Sequence, residues 1–209
     1  MRKLTVLISA FAIAATAAAY ADLAQPGEFT PDILDKPIVI NGETMHVVRT
    51  IDKNNLDIKV LTKDGKEMWR SIALGMQAWN FRMNDKVSSL ECEDLDGDNV
   101  PEIITATTIG DVQSAMYVFK FNPKENNFKA LNFGYQDYPD MVRDFMVSDI
   151  PAADGANMIF IDKSTVKTLG KIYTDNGAVP GFYYFELKEG EFVCRKQEPV
   201  PPAPTEEKK

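Results

Sequence analysis

The sequence predicts an all-β protein made of antiparallel repeats, propeller-like or a partial propeller of about three to four blade-like units. Three observations carry that expectation. Short runs rich in Ile, Val, Phe and Tyr alternate with polar residues at a period of two, as in half-buried strands. Asn41-Gly42, Asp64-Gly65 and Glu189-Gly190 punctuate those runs with turn pairs suited to tight hairpins. A similar hairpin recurs at residues 58–69, from Tyr117-Val118-Phe119-Lys120-Phe121, and from Tyr183-Tyr184-Phe185-Glu186-Leu187. Units of about 50 residues are the spacing of propeller blades.

Residues 1–21 read as a secretory signal peptide. Arg2-Lys3 give a positive start, Leu4 to Ala19 an apolar run, and Ala19-Tyr20-Ala21 a small-x-small cleavage site. The run is short for a membrane span of about 20 residues. The mature protein is expected to begin at Asp22 and to be periplasmic or secreted, with no membrane span left after cleavage. Residues 22–37, with Pro26, Pro31 and Pro37, read as an irregular lead. Ile38-Val39-Ile40, the Asn41-Gly42 turn and Met45 to Ile51 form the first hairpin. His46, the only histidine, lies in it and has no second imidazole or nearby cysteine to make a zinc site. Residues 70–83, with Leu74 and Trp79, suit either a short helix or a loop packed on a sheet.

Val87 to Cys92, Glu102 to Thr108, Met116 to Phe121 and Phe128 to Phe133 read as strands, the last pair joined by a turn at 122–127. Residues 163–180 read as an insertion carrying Asp175-Asn176-Gly177, with Lys163, Lys167 and Lys171 on a solvated face. The β-repeat domain spans 22–196. From Gln197 the chain reads as an extended or disordered Pro-rich tail, 197–209. Cys92 and Cys194 are an even pair in a chain expected to be exported, so a disulfide competes with two buried free thiols in adjacent strands.

The chain carries 31 acidic against 23 basic residues, a formal charge of −8. Loss of Arg2 and Lys3 with the leader would move it from −8 to −10. Phosphate contact needs clustered Lys and Arg, so nucleic acid and anionic membrane surfaces are poor partners.

One stretch points to specific chemistry. Asp94-Leu95-Asp96-Gly97-Asp98-Asn99-Val100-Pro101-Glu102 spaces carboxylates at alternate positions of a tight loop. Calcium takes six to eight oxygens at about 2.3–2.6 Å in loose geometry. Asp94, Asp96, Asp98 and Glu102 would supply carboxylates and Val100 its carbonyl. Gly97 and Asn99 suit left-handed backbone. The EF-hand pattern fails, because the positions that need Gly and Glu hold Asn99 and Thr105. A solvated acidic turn is the competing reading.

The stretch resembles the calcium loop of FG-GAP or VCBS-type repeats, which read Asp-x-Asp-Gly-Asp-Gly-x-x-Asp/Glu-Leu/Ile and lead into a strand of a propeller blade. The match covers residues 92–104 and departs at Asn99, where the family usually has glycine. Val147 to Ile159 lies over Cys92 to Ile104 without a gap, with Pro151 and Ala153 in place of Asp96 and Asp98, as a blade loop that has lost its ion. The resemblance implies bound Ca2+, ion-stiffened blades and interaction through loops. The expected function is an exported, non-enzymatic, calcium-binding module for an unidentified protein or surface glycan. The alternatives are an accessory subunit that completes its sheet against a partner, or an exported carboxylate-dependent hydrolase. The chain shows no Gly-x-Ser-x-Gly elbow and no zinc pattern, so no catalytic residue is assigned.

Overall fold

The structure is a computed structural model and describes residues 33–200, apart from 54, 85, 111–112, 137, 149–158 and 176. The expected signal peptide and all of the tail beyond Val200 lie outside the described residues.

Every regular element described is a β-strand. A first meander holds β1 (Ile33–Ile40), β2 (Glu43–Asp52), β3 (Asn55–Thr62) and β4 (Glu67–Arg70), paired in that order. Three short strands come next: β5 (Ala78–Trp79), β6 (Phe81–Met83) and β7 (Lys86–Ser88). A second meander holds β8 (Leu90–Glu93), β9 (Glu102–Thr108), β10 (Ser114–Asn122) and β11 (Asn127–Ala130). Then come β12 (Asn132–Tyr135), β13 (Tyr138–Arg143) and β14 (Met146–Ser148). The last meander is β15 (Ile159–Asp162), β16 (Thr165–Thr174), β17 (Gly177–Lys188) and β18 (Glu191–Pro199).

The turns arise from local chemistry. Asn41 and Gly42 both take positive φ, 53° and 79°, the geometry of the two-residue hairpin turn that keeps β1 and β2 in register. Glu189 and Gly190 do the same between β17 and β18.

Three sheets stack face to face. One core cluster joins Val47, Ile58 and Val60 of the first sheet to Ile103, Tyr117 and Phe119 of the middle one. The other joins Ile104, Met116 and Val118, from the opposite face of the same strands, to Ile161, Phe185 and Phe192 of the third sheet. β9 and β10 are therefore buried on both faces, and every residue from Glu102 to Thr107 and from Ser114 to Phe119 is buried. The residues buried there include the polar Glu102, Thr105, Thr107 and Ser114 beside the apolar ones.

The chain passes from the middle to the third sheet at three places. β5 pairs with β9, and β6 pairs parallel with β15. β11 pairs with β10, and β12 pairs parallel with β18. β14 pairs with β10, and β15 belongs to the third sheet. Three four-stranded meanders are thus present, but among the described residues the sheets do not close into a ring.

Several expectations are corrected. Ile33 to Pro37 begin β1 rather than ending an irregular lead; Pro37 is accommodated because β1 is an edge strand. Residues 70–83 hold no helix: Leu74 and Trp79 are buried, and β5 and β6 are strands. The segment is tied down by Met76 N–H to Thr108 O and by Tyr117 O–H to Leu74 O. Residues 128–133 are two strands in different sheets, hinged at buried Leu131. The insertion expected at 163–180 is a long ribbon, β16 against β17, with Gly177 at its turn. Lys167 is not simply solvated, because its ammonium lies 3.9 Å from the centre of the Phe182 ring. β18 runs through Gln197 to Pro199, where the tail was expected to have begun.

No disulfide joins the cysteines. Cys92 in β8 packs against the cluster between the first and middle sheets, and Cys194 in β18 lies in the other cluster. The two strands belong to different sheets, so they are not neighbours. The degraded loop from Asp149 to Met158 lies outside the described residues. Its flanks differ from those of the acidic loop: β8 pairs with β9, whereas β14 and β15 sit in different sheets.

Candidate metal centre

The acidic stretch closes the hairpin between β8 and β9, whose last pair is Glu93 with Glu102. Asp94 organises the turn. Its carboxylate accepts N–H donors from Gly97 at 2.8 Å, Asp98 at 3.2 Å and Asn99 at 2.9 Å. Gly97 and Asn99 take φ of 83° and 64°, the left-handed geometry that glycine and asparagine tolerate best. Asp98 Oδ1 accepts the Val100 N–H at 2.8 Å.

Two residues anchor this loop in the core. Leu95 is buried between the middle and third sheets. Glu102 is fully buried at the head of β9 and accepts the Leu95 N–H at 2.8 Å. Burial pushes the Glu102 carboxyl above its ordinary value, against the opposing pull of Leu95 N–H and of Lys120.

Lys120 is the residue that sequence reasoning missed. Phe119 pairs with Ile103, so the next step along β10 brings Lys120 alongside Glu102. Its ammonium lies 2.5 Å from Asp96 Oδ2, 2.6 Å from Asp98 Oδ2 and 3.1 Å from Glu102 Oε1. Partial burial alone would depress the Lys120 pKa. The hydrogen bonds with Asp96, Asp98 and Glu102 outweigh that and hold it above the ordinary lysine value. The Lys120 hydrogen bond in turn leads the causes that hold the Asp98 carboxyl below its usual range. The available signal was a lone lysine in the aromatic run Tyr117–Phe121, in a strand pairing back onto the loop's exit.

Oxygens of Asp94, Asp96 and Glu102 lie within 4.8 Å of one another, a spacing from which one cation could be shared. Asp98 joins them through Lys120. Val100 lies half-buried beside them with its N–H held by Asp98. Four carboxylates against one ammonium leave the loop three charges negative. Hard oxygen donors of this kind suit Ca2+ or Mg2+ rather than zinc.

His46, the lone histidine, lies in β2 with Nδ1 3.0 Å from Asp35 Oδ1 on the neighbouring strand. Among the described residues the acidic loop is the one cluster with ligand spacing for a metal. Fold and site together define an all-β protein of three stacked sheets with an acidic, lysine-capped hairpin loop. No protein-family model matches this chain, and no curated protein matches it. No helix among the described residues is long and apolar enough to cross a membrane.

Proposed function

We propose that the protein is an exported, non-enzymatic, calcium-binding β-repeat module that interacts with a protein or a surface glycan. The observation that supports it most is the convergence of Asp94, Asp96 and Glu102, with a buried carboxylate at the base of a loop that keeps a net negative charge beside Lys120. A carboxylate removed from water needs a charged partner, and the buried Glu102 has one in the Lys120 ammonium at 3.1 Å, a place that a bound cation would take over. In this reading Ca2+ enters by displacing the Lys120 ammonium, and Asp94, Asp96, Asp98, Glu102 and the Val100 carbonyl become its ligands. The resemblance of residues 92–104 to FG-GAP loops, and the presence of three meanders, support the same reading.

Titration calorimetry on chelator-stripped protein tests it. One Ca2+ should bind per chain, and free calcium at 100 times the dissociation constant should stabilise the fold by about 2.7 kcal/mol. Asp96→Ala should abolish the calcium dependence of the melting temperature, whereas Asp149→Ala should leave it intact. No binding at millimolar calcium, with a melting temperature indifferent to chelator, overturns the proposal.

A second reading is favoured by the Lys120 contacts themselves. The ammonium then serves permanently as the loop's cation, and the hairpin is an internally neutralised structural turn. Absence of calcium binding in the native protein, with binding gained on Lys120→Met, would be its signature.

A further inference from the structure

At the rim between the middle and third sheets, β13 and the β16–β17 ribbon border a cleft of about 530 Å³ that shares no residue with the acidic loop. Small-molecule sites run from roughly 300 to 1,000 Å³, so its size is that of a binding site. Gln113, just before β10, and Val147 of β14 bring the middle sheet to it.

The floor is held by its own contacts. The Tyr135 and Tyr183 rings meet edge to face, 5.7 Å apart at 86°, and both pack against Phe185. The Tyr183 hydroxyl donates to Lys171 O, which ties that ring to the ribbon. A nearly perpendicular pair makes no parallel slot, the arrangement that would grip a planar aromatic ligand. The walls are open instead. Tyr138 and Tyr173 are 55% and 76% exposed, and neither side chain has a hydrogen bond or a ring contact among the described residues.

Arg143, Gln113 and Gln197 add polar groups to the lining, and none of the three side chains has a hydrogen-bond or ion-pair partner among the described residues. No carboxylate is among the described residues that line the cleft. Asp140 and Asp144, the acids nearest to Arg143 in sequence, are exposed and do not line it. In a chain with 31 acidic against 23 basic residues, the lining runs against the charge of the molecule.

These groups select the chemistry of a ligand. The C–H groups of a pyranose ring carry slight positive charge and pack on the negative face of an aromatic ring, while its hydroxyls need polar partners such as side-chain amides. Exposed tyrosines beside two glutamines meet both needs. A fatty chain would desolvate Arg143 and both amides without pairing them, at a cost. The planar guanidinium of Arg143 matches a carboxylate through two parallel hydrogen bonds.

We propose that the cleft binds a short acidic oligosaccharide whose sugars carry carboxylates, a uronate glycan. Tyr138 and Tyr173 pack on the sugar rings, Gln113 and Gln197 bond their hydroxyls, and Arg143 pairs with a carboxylate. The proposal rests on the function proposed above only in taking a glycan as partner; it assigns a separate site and needs no calcium.

Titration calorimetry of the full chain with trigalacturonate, in chelator, tests it. Galactotriose, the neutral trimer, should bind about tenfold more weakly, the order expected for one charge-assisted hydrogen bond. Arg143→Gln should bring the acidic trimer down to the affinity of the neutral one, and Tyr173→Ala should weaken both. The two side chains are exposed, so both variants should melt with the native protein, and lost affinity is then not lost folding. Tyrosine-labelled NMR should show Tyr138 and Tyr173 shifting as trigalacturonate is added.

No binding of trigalacturonate at millimolar concentration overturns the proposal, as does equal affinity for the two trimers. Binding untouched by both substitutions places the site elsewhere and overturns it too. A thymidylate trimer bound as tightly as the uronate would make the cleft a general polyanion site, which also overturns it. Calcium titrated alone keeps this result apart from that at the acidic loop. Calcium uptake without uronate binding sinks the cleft only, and uronate binding by a chain that takes up no calcium sinks the loop only.

Discussion

Lys120 shows how one side chain decides what a loop can be. The acidic residues were legible in the sequence because their spacing is local, and Gly97 and Asn99 announced the turn. Lys120 was not legible, because only the pairing of β10 with β9 brings it across 18 residues of chain to Glu102. Lys120→Met should separate the two readings of the loop. Without calcium the variant leaves Glu102 buried and uncompensated, a loss of about 2 kcal/mol once the partial exposure of Lys120 is discounted. With calcium the same variant should regain that stability and bind the ion at least about tenfold more tightly, because no ammonium competes. Paired denaturant melts with and without chelator read both effects; a variant as stable as the native protein in chelator would deny Lys120 its role. Cys92 gives a second residue-level prediction, on pH. Burial pushes its thiol up to about 12, with Lys36 opposing and Glu91 adding to the effect. The unfolded thiol ionises near its ordinary value of about 8.5 while the folded one stays neutral. The unfolded state therefore binds fewer protons through that window, and stability falls as pH rises from about 8.5 towards 12, by up to about 1.4 kcal/mol per unit. Cys92→Ala should flatten that decline in urea melts taken from pH 8 to 11. An unchanged slope would show that the alkaline loss arises elsewhere.

Elements were legible where turn chemistry and alternation agree, and illegible where the third dimension overrules them. The hairpins at Asn41-Gly42 and Glu189-Gly190 form as their turn residues dictate. The first arm and turn of the ribbon, residues 165–180, were hidden because Gly170, Gly177, Pro180 and the adjoining Gly181 resemble loop punctuation, whereas residues 183–187 read as a hairpin strand. Yet Gly181 sits where a β-carbon would run into Ile172 and the Glu198 carbonyl, so it marks close approach within a sheet rather than a break. Gly75 is the same case in the segment before β5. A β-carbon there would collide with the Thr107 side chain and the Thr108 carbonyl, against which Met76 and Gln77 are hydrogen-bonded. Gly75→Ala should therefore pry this segment from the end of β9, at a cost of about 1–3 kcal/mol typical of overpacking. Gly42→Ala, in open space at positive φ, should cost less, through backbone strain alone. Denaturant midpoints for the two variants make the comparison, and a larger loss at Gly42 would refute the collision at Gly75.

At the scale of the whole molecule, the stacking order sets the distribution of stability. The middle sheet is covered on both sides, while the first sheet packs on one side only, as its alternating burial shows. The sequence carried part of this difference. Residues 114–121 are broken only by Ser114 and Lys120 and residues 56–60 alternate, but residues 102–108 set Glu102, Thr105, Thr107 and Thr108 among Ile103, Ile104 and Ala106. It did not carry which meander lies between the other two, because the steps from β5 to β6, β11 to β12 and β14 to β15 pass between sheets through contacts that no local pattern encodes. Burial on two faces should make β9 and β10 the last strands to open, since local unfolding is cheapest where the fewest apolar contacts are lost. Native-state hydrogen exchange should therefore find the slowest amides at Ile104, Ala106 and Val118, exchanging only through global unfolding. The first sheet should open earlier, with Lys59 and Val48 exchanging through a smaller free energy and a smaller denaturant dependence. Calcium, if it binds the loop that joins β8 to β9, should raise protection of the middle sheet by the full linkage energy and leave the sub-global opening of the first sheet nearly unchanged. Equal exchange free energies in the first and middle sheets would mean that the three layers unfold as one unit, and that the two-sided burial of β9 and β10 confers no separate stability.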